Sequence, residues 1–338
     1  MARVTRADVA KLAGVSPATV SVVLNGNFDR VRISKQTQMR VREAARELRY
    51  FPSAAGRILR NQTTPTIAFL LGALPADPYV PVVDLQIITA MQEARRRGFF
   101  IIPITADDDN PVTLVESLLS QIALGGVVCE TTSQLKDLGE TITENDIPVM
   151  WMSLLDTPRY HSGCGHITIR EHPGIKQLVA GLDLPSDTPV LSVWGPVSDT
   201  NRLEPASQHF HAGWEELHLD SWSSLDARDA IGQYLQRHDA PRIIWCADDL
   251  LTAGALYACN AHGLRVPEDV QIIGYGDQTT EAARVSTVTA AHWPVRELTV
   301  RAVDGLIDAI QHKGKKDRLE LDIPTTAVWR STTRPRLQ

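Results

Sequence analysis

Three groups of residues in this chain combine types and spacings that could do chemistry. The first is Ala10, Gly14 and Val20: a small residue where two helices cross, a glycine at a tight turn, and an apolar lock on the second helix. Val9, Ala13, Val15 and Val23 stand on the core side of the same pair. The second helix opens at Ser16-Pro17 and projects Pro17, Ala18, Ser21 and Val22 from the half that enters a major groove in a helix-turn-helix. Ala18 and Val22 suit contact with thymine methyl groups, and this helix offers no arginine for bidentate reading of guanine. The second group centres on Asp249, which follows the run Trp245-Cys246-Ala247-Asp248. Its carboxylate suits ligand hydroxyls, and equally suits the cap of a helix starting at Leu250. The third is His161-x-x-Cys164-x-His166, in a stretch (161–218) holding six of the ten histidines. These are metal-ligand types, but no HExxH helix or Cys-x-x-Cys pair accompanies them, so exposed loop histidines are the simpler expectation.

The remaining candidates have plainer explanations. Asp107-Asp108-Asp109 before Pro111 reads as a solvated helix start, and Arg95-Arg96-Arg97 and Lys313 to Arg318 as cations at helix C-termini. Gly163-x-Gly165 lacks a third glycine, and neither Gly-x-Ser-x-Gly nor a phosphate-loop lysine occurs. The chain offers an enzyme nothing specific to work with, and no cofactor or metal is expected.

The elements that must position these groups fall into two kinds. Up to residue 50 the pattern is helical: Thr5 caps a helix through Ala13, Ser16 starts a second, and Ser34 starts a third to about Arg49. Val41, Ala44, Ala45 and Leu48 give that third helix one apolar stripe. Tyr50-Phe51-Pro52 stops it, and Ser53 to Arg60 follows as a segment of about two turns, marginal in water unless something holds it. From residue 66 continuous apolar runs (66–71, 100–104, 126–129, 149–152, 189–194, 242–246, 270–274) alternate with helical patterns (82–97, 111–123, 171–182, 226–237, 249–262). That alternation predicts a parallel, doubly wound α/β sheet, and its length favours two half-sized sheets around a cleft.

Charge separates the same two parts. The 338 residues carry net −6, yet residues 1–62 hold 12 Lys/Arg against 4 Asp/Glu. A basic module meeting a polyanion is joined to an acidic one that does not. Cys129, Cys164, Cys246 and Cys259 form no motif and read as reduced, mostly buried apolar residues. No apolar run reaches about 18 residues, and no apolar stretch follows the first basic residues, so a cytosolic protein is expected.

The run Val4-Thr5-Arg6-Ala7-Asp8-Val9-Ala10-Lys11-Leu12-Ala13-Gly14-Val15-Ser16-Pro17-Ala18-Thr19-Val20-Ser21 resembles the headpiece of the lactose/galactose-repressor (LacI/GalR) family. So do Leu24-Asn25-Gly26, Arg32-Ile33-Ser34 and Ala44 to Tyr50. Further on, Ala247-Asp248-Asp249, Gly263 to Val270 and Gly274-Tyr275-Gly276-Asp277 are similar to that family's effector domain. The resemblance implies a homodimeric transcriptional repressor on palindromic operator DNA, acting in the cytoplasm at the nucleoid. It implies a headpiece at 1–50, a hinge helix at 51–62 and a periplasmic-binding-protein-like effector domain at 63–338. Lobe 1 would comprise about 66–165 plus 295–324, and lobe 2 about 166–290 plus 325–333. Thr5, Ser16, Pro17, Ala18, Thr19, Ser21, Val22, Asn25, Arg32, Tyr50, Ser53, Ala55, Gly56 and Leu59 are the implied DNA contacts, with Leu59 wedged into the central base step. Gly56 stands where the family usually has alanine, which favours a more easily released hinge.

For a small-molecule effector, a sugar or sugar derivative, the resemblance implies contacts at Asp77, Tyr79, Arg170, Phe210, Trp245, Asp249, Asp277 and Trp293. Here the chain departs from the pattern: Phe210 precedes Gly213-Trp214 where an arginine is usual, Arg170-Glu171-His172 replaces an Asp-Asn segment, and Trp293 replaces a glutamine. Aromatic surface beside Arg170 suits a stacked ring or an anion. Two other classes share the two-lobed fold. A small-molecule-binding module without DNA function would have no use for the headpiece, and an enzyme would turn its ligand over.

Overall fold

The computed structural model describes residues 4–25, 33–48, 50, 64–72, 81–105, 121–157, 159–196, 202–277, 287–312 and 317–334. The chain divides into two compact units, 1–64 and 65–338. The linker positions Ser53, Ala55, Gly56 and Leu59, and Arg32, Asp77, Tyr79 and the acids at 107–109, lie outside the described residues.

In the first unit, α1 (Arg6–Ala13) starts in a reciprocal cap: the Thr5 hydroxyl accepts from the Asp8 N–H, and the Asp8 carboxylate accepts from the Thr5 N–H. Gly14 ends it with φ +63°, the left-handed value at which a helix C-terminus favours glycine. α2 (Pro17–Asn25) is capped by Ser16, whose Oγ accepts from the Thr19 N–H, and α3 (Lys35–Glu47) by Ser34 onto Thr37. Val9, Ala10, Ala13, Val20, Val23, Val41, Ala44 and Ala45 close one small core. Val15, expected in that core, packs on it partly buried.

The second unit holds two six-stranded sheets. In chain order come β1 (Thr66–Leu71), α4 (Pro81–Arg96), β2 (Phe100–Thr105), β3 (Gly126–Glu130), α5 (Ser133–Glu144), β4 (Val149–Ser153) and β5 (Gly165–Arg170). Then follow α6 (His172–Leu182), β6 (Val190–Trp194), α7 (Glu204–His209), β7 (Trp214–His218), α8 (Ser224–Arg237), β8 (Ile243–Cys246) and α9 (Asp249–Ala261). The last are β9 (Gln271–Gly276), β10 (Thr289–His292), α10 (Val295–Gln311), β11 (Leu319–Pro324) and β12 (Thr326–Val328). The first sheet runs β11-β5-β4-β3-β1-β2, all parallel; the second runs β12-β10-β9-β8-β6-β7, parallel except for β12.

This is the expected α/β architecture with one shift of boundary. β5 pairs with β4 and β11, so residues 166–170 belong to the first sheet and not, as expected, to the second lobe. Three crossovers therefore join the lobes, at Glu171, at Trp293-Pro294 and at Thr325. The arginines read as cations at helix C-termini hold more than that. Arg97 bridges to Asp304 and Asp308 on α10, and Arg318 donates to the carbonyls of Ser162 and Gly163. Among the described residues no single helix is long and apolar enough to cross a membrane.

Candidate functional site

On the headpiece, Ser16, Pro17 and Ala18 are exposed, while Thr19, Ser21 and Val22 are half-buried. The Ser16 and Thr19 hydroxyls bond to each other at 2.9 Å, and Thr5 is committed to Asp8, so these groups also serve the helix caps. Arg6, Lys11, Lys35, Arg40, Arg42 and Arg46 are exposed, and they are of the types that contact nucleic-acid phosphates. Asn25 ends α2, and Tyr50 packs half-buried on the headpiece core.

The cleft of a doubly wound fold lies at the carboxyl ends of its strands. In lobe 2 those ends carry two clusters. In the first, Asp248, not Asp249, caps α9, its carboxylate accepting from the Leu250 N–H at 2.7 Å. Asp249 is the first helical residue, and its Oδ1 accepts from the Asp277 N–H at 3.1 Å, tying α9 to the end of β9. Asp277 pairs with Arg330 at 2.8 Å and His292 at 3.5 Å. Burial pushes its carboxyl up, but the hydrogen bonds from His292 and Arg330 outweigh it and hold the group below its ordinary range.

The second cluster surrounds Arg202. Its guanidinium stacks 4.4 Å from the Tyr275 ring centroid and 5.5 Å from that of Trp293. It donates to the Ala247 carbonyl at 2.7 Å and lies 3.3 Å from Glu171 Oε1. Both charges are buried, with side chains 8% and 1% exposed. Trp293 donates to the Leu154 carbonyl in lobe 1. Trp245 lies on the same sheet face, wholly buried, with its indole N–H unpartnered.

Two positions depart from their expected roles. Phe210 is fully buried beyond the end of α7, its ring edge-on to His209, and belongs to the apolar core. Arg170 bonds to Asp156 and to Asp322, so its charge is answered within the protein and not held open for an anion. Arg202, Glu171 and Tyr275 were missed. The expected spacing points three residues before Gly213-Trp214, whereas Arg202 precedes the small residues Pro205-Ala206 by that interval.

Lobe 1 contributes buried polar groups at its own strand ends. Glu130 accepts from the Gly72 N–H and from Gln86 Nε2, and burial pushes its carboxyl above the ordinary range. Gln86 Oε1 and the Thr89 hydroxyl are buried without partners. His166, expected in an exposed loop, is wholly buried: Nδ1 accepts from the Tyr160 N–H, leaving Nε2–H to face Ser153 and Thr131. Burial lowers its pKa to about 4. The unfolded chain binds this proton below about pH 6.5, so stability falls as pH drops from there towards 4. Between pH 7.5 and 5 this residue removes about 2 kcal/mol, and His166→Gln flattens that part of the urea-midpoint profile. Among the described residues no group of histidines, cysteines and acids is placed to hold a metal ion.

A basic helix-turn-helix unit joined to a two-lobed unit defines a DNA-binding transcriptional regulator with an effector domain, not an enzyme. Residues 5–53 match the bacterial regulatory proteins, lacI family, and residues 200–333 match the periplasmic binding protein-like domain. The first unit thus carries a lacI-family DNA-binding domain and the second a periplasmic binding protein-like domain. It is 26% identical over 348 residues to the HTH-type transcriptional repressor PurR of Haemophilus influenzae strain PittEE, covering 97% of this chain and 98% of that protein. To the PurR repressor of Aliivibrio salmonicida it is 27% identical over 324 residues, covering 92% and 94%. The lac repressor dimer bound to operator and the anti-inducer ONPF superposes with a TM-score of 0.76 at 21% identity, over 98% of this chain and 99% of that one. The regulator CelR in complex with cellobiose gives 0.61 at 23% identity, over 98% and 100%.

Proposed function

We propose that the chain acts as a homodimeric repressor, working in the cytoplasm at the nucleoid, on a palindromic operator. Its hold on DNA is controlled by a sugar or sugar derivative at the carboxyl ends of the lobe 2 strands. The observation that carries this is the cluster of Asp249, Arg202, Tyr275 and Trp293 at those ends, in a chain whose other unit is a basic helix-turn-helix. The sugar class is supported by the cellobiose held by CelR. Pairing is supported by apolar side chains left in solvent on one part of lobe 1: Ile88 and Met91 on α4, each about half exposed, and Phe100 on the edge strand β2. The domain division carried forward is 1–50 for the headpiece, 51–62 for the hinge with Leu59 as the wedge, and 63–338 for the effector domain. Thr5, Ser16 to Thr19, Ser21, Val22, Asn25, Arg32, Tyr50, Ser53, Ala55 and Gly56 complete the DNA face.

The test uses the full chain and an operator it selects from random duplexes. Pentoses, hexoses, disaccharides, nucleosides and sugar phosphates are scored for release of that operator and for a rise in Tm. A ligand at 100 times its Kd stabilises by about 2.7 kcal/mol. Asp249→Ala is expected to abolish both responses while leaving ligand-free operator binding in place. In the same assay, exchanging uracil for the thymines under Ala18 and Val22 costs about 0.8 kcal/mol per lost methyl. A chain that selects no sequence, or that responds equally after Asp249→Ala, overturns the proposal.

A further inference from the structure

We propose that Glu171 is an internal counter-ion for Arg202 and ties that pairing to the angle between the lobes. The proposal rests on the reading that the effector sits at the lobe 2 strand ends. It adds a residue for which that reading has no role.

Glu171 stands at the first crossover, between β5 of lobe 1 and α6 of lobe 2. Its Oε2 accepts from the Asp156 N–H, on the lobe 1 side, at 3.3 Å. Its Oε1 accepts from the Tyr275 hydroxyl at 3.3 Å and faces Arg202 Nε at 3.3 Å, both on lobe 2. Its main-chain carbonyl accepts from the Thr325 hydroxyl at the third crossover, at 2.6 Å. Trp293, at the second crossover, lies against the same guanidinium and donates to Leu154 of lobe 1. One carboxylate thus touches both lobes, within a knot where all three crossovers meet.

The pairing is loosely made. All three contacts of the carboxylate are 3.3 Å long, at the far end of hydrogen-bond distances, and the Arg202 Nε–H and Trp245 Nε1–H lack a well-aligned acceptor. Arg202 has five N–H donors, and among the described residues one of them has a well-formed acceptor, the Ala247 carbonyl. A site with spare buried donors and a loosely held internal carboxylate is set to exchange that carboxylate for acceptor atoms of a ligand. Once a ligand takes Arg202, Glu171 loses its counter-charge, and its bonds to Asp156 and Tyr275 change with it. The carboxylate is then drawn towards one lobe or the other, which moves the crossovers.

The experiment is chemical rescue on the full chain, with acetate as the probe. In Glu171→Ala, the Asp156 amide is expected to exchange hydrogen faster, and millimolar acetate to restore its protection saturably, where chloride at equal ionic strength does not. Affinity for the selected operator is expected to change by about five- to 150-fold, the range of measured couplings, and to return towards wild type with acetate. Glu171→Gln, which keeps the shape and loses the charge, folds normally and shows the same operator shift without rescue. Equal effects of acetate and chloride, or unchanged operator affinity in both variants, overturn the latch. A wild-type chain that selects no operator overturns the functional reading instead, and exchange at Asp156 still decides the latch.

Discussion

An Arg202→Ala chain is expected to lose about 3–5 kcal/mol of effector-unit stability, far more than removal of a surface arginine. The cause is what is left behind: a carboxylate with 1% exposure, against rings and a tyrosine hydroxyl, without its cation. Urea unfolding of the full chain measures this. An Arg202→Leu, Glu171→Leu double variant removes both charges and should recover most of the loss, because a buried ion pair is often no better than a packed apolar pair. A single variant that loses under about 1 kcal/mol would show that Glu171 does not depend on Arg202.

Trp151→Ala is expected to cost a similar amount, about 3–5 kcal/mol, from lobe 1. The indole is wholly buried in β4, meets Tyr160 edge-to-face at 4.8 Å, and donates to the Ser162 carbonyl at 3.0 Å. α5 presses against it so closely that a Cβ added at Gly139 would come within 2.2 Å of the ring. The neighbours cannot fill the space, since β4 is held by strands on both sides. Thermal unfolding is the measure, and Trp151→Phe, which keeps most of the ring and loses the N–H bond, should lie well between the two.

Much of this fold was legible because its central strands are buried on both faces. Thr66 to Leu71 and Val149 to Met152 are unbroken apolar runs with no competing interpretation. Three of the five strands that were not foreseen interleave polar residues. β5 reads Gly-His-Ile-Thr-Ile-Arg, β7 Trp-Glu-Glu-Leu-His, and β11 Leu-Glu-Leu-Asp-Ile-Pro. β7 and β11 are edge strands, where solvent takes one side and alternation over so few residues is weak evidence. Missing β5 moved the lobe boundary by the same five residues.

The site was legible only in part, for a different reason. Asp249 stands out as a candidate because a strand, an Asp pair and a helix follow each other without a gap, and only the choice of which aspartate caps needed coordinates. Arg202 carries no such flag, since Pro205-Ala206 and not a Gly-aromatic pair follow it at three residues. Glu171 was seen only as a departure from a pattern, since nothing in Arg-Glu-His announces a carboxylate that faces two lobes. Phe210 was assigned by spacing alone, and spacing along a chain does not say which side of a helix reaches the cleft.

The order of strands in the two sheets also sets the order in which a growing chain can become functional. The helix-turn-helix core is complete by residue 50, whereas the first sheet waits for β11 and the second for β12, the final strands to emerge. At ribosomal rates of about 5–20 residues per second, that interval lasts on the order of tens of seconds. During it the nascent polypeptide displays a finished DNA-reading module whose sensor has not yet closed. A newly made repressor would therefore engage nucleic acid before it can answer to any metabolite.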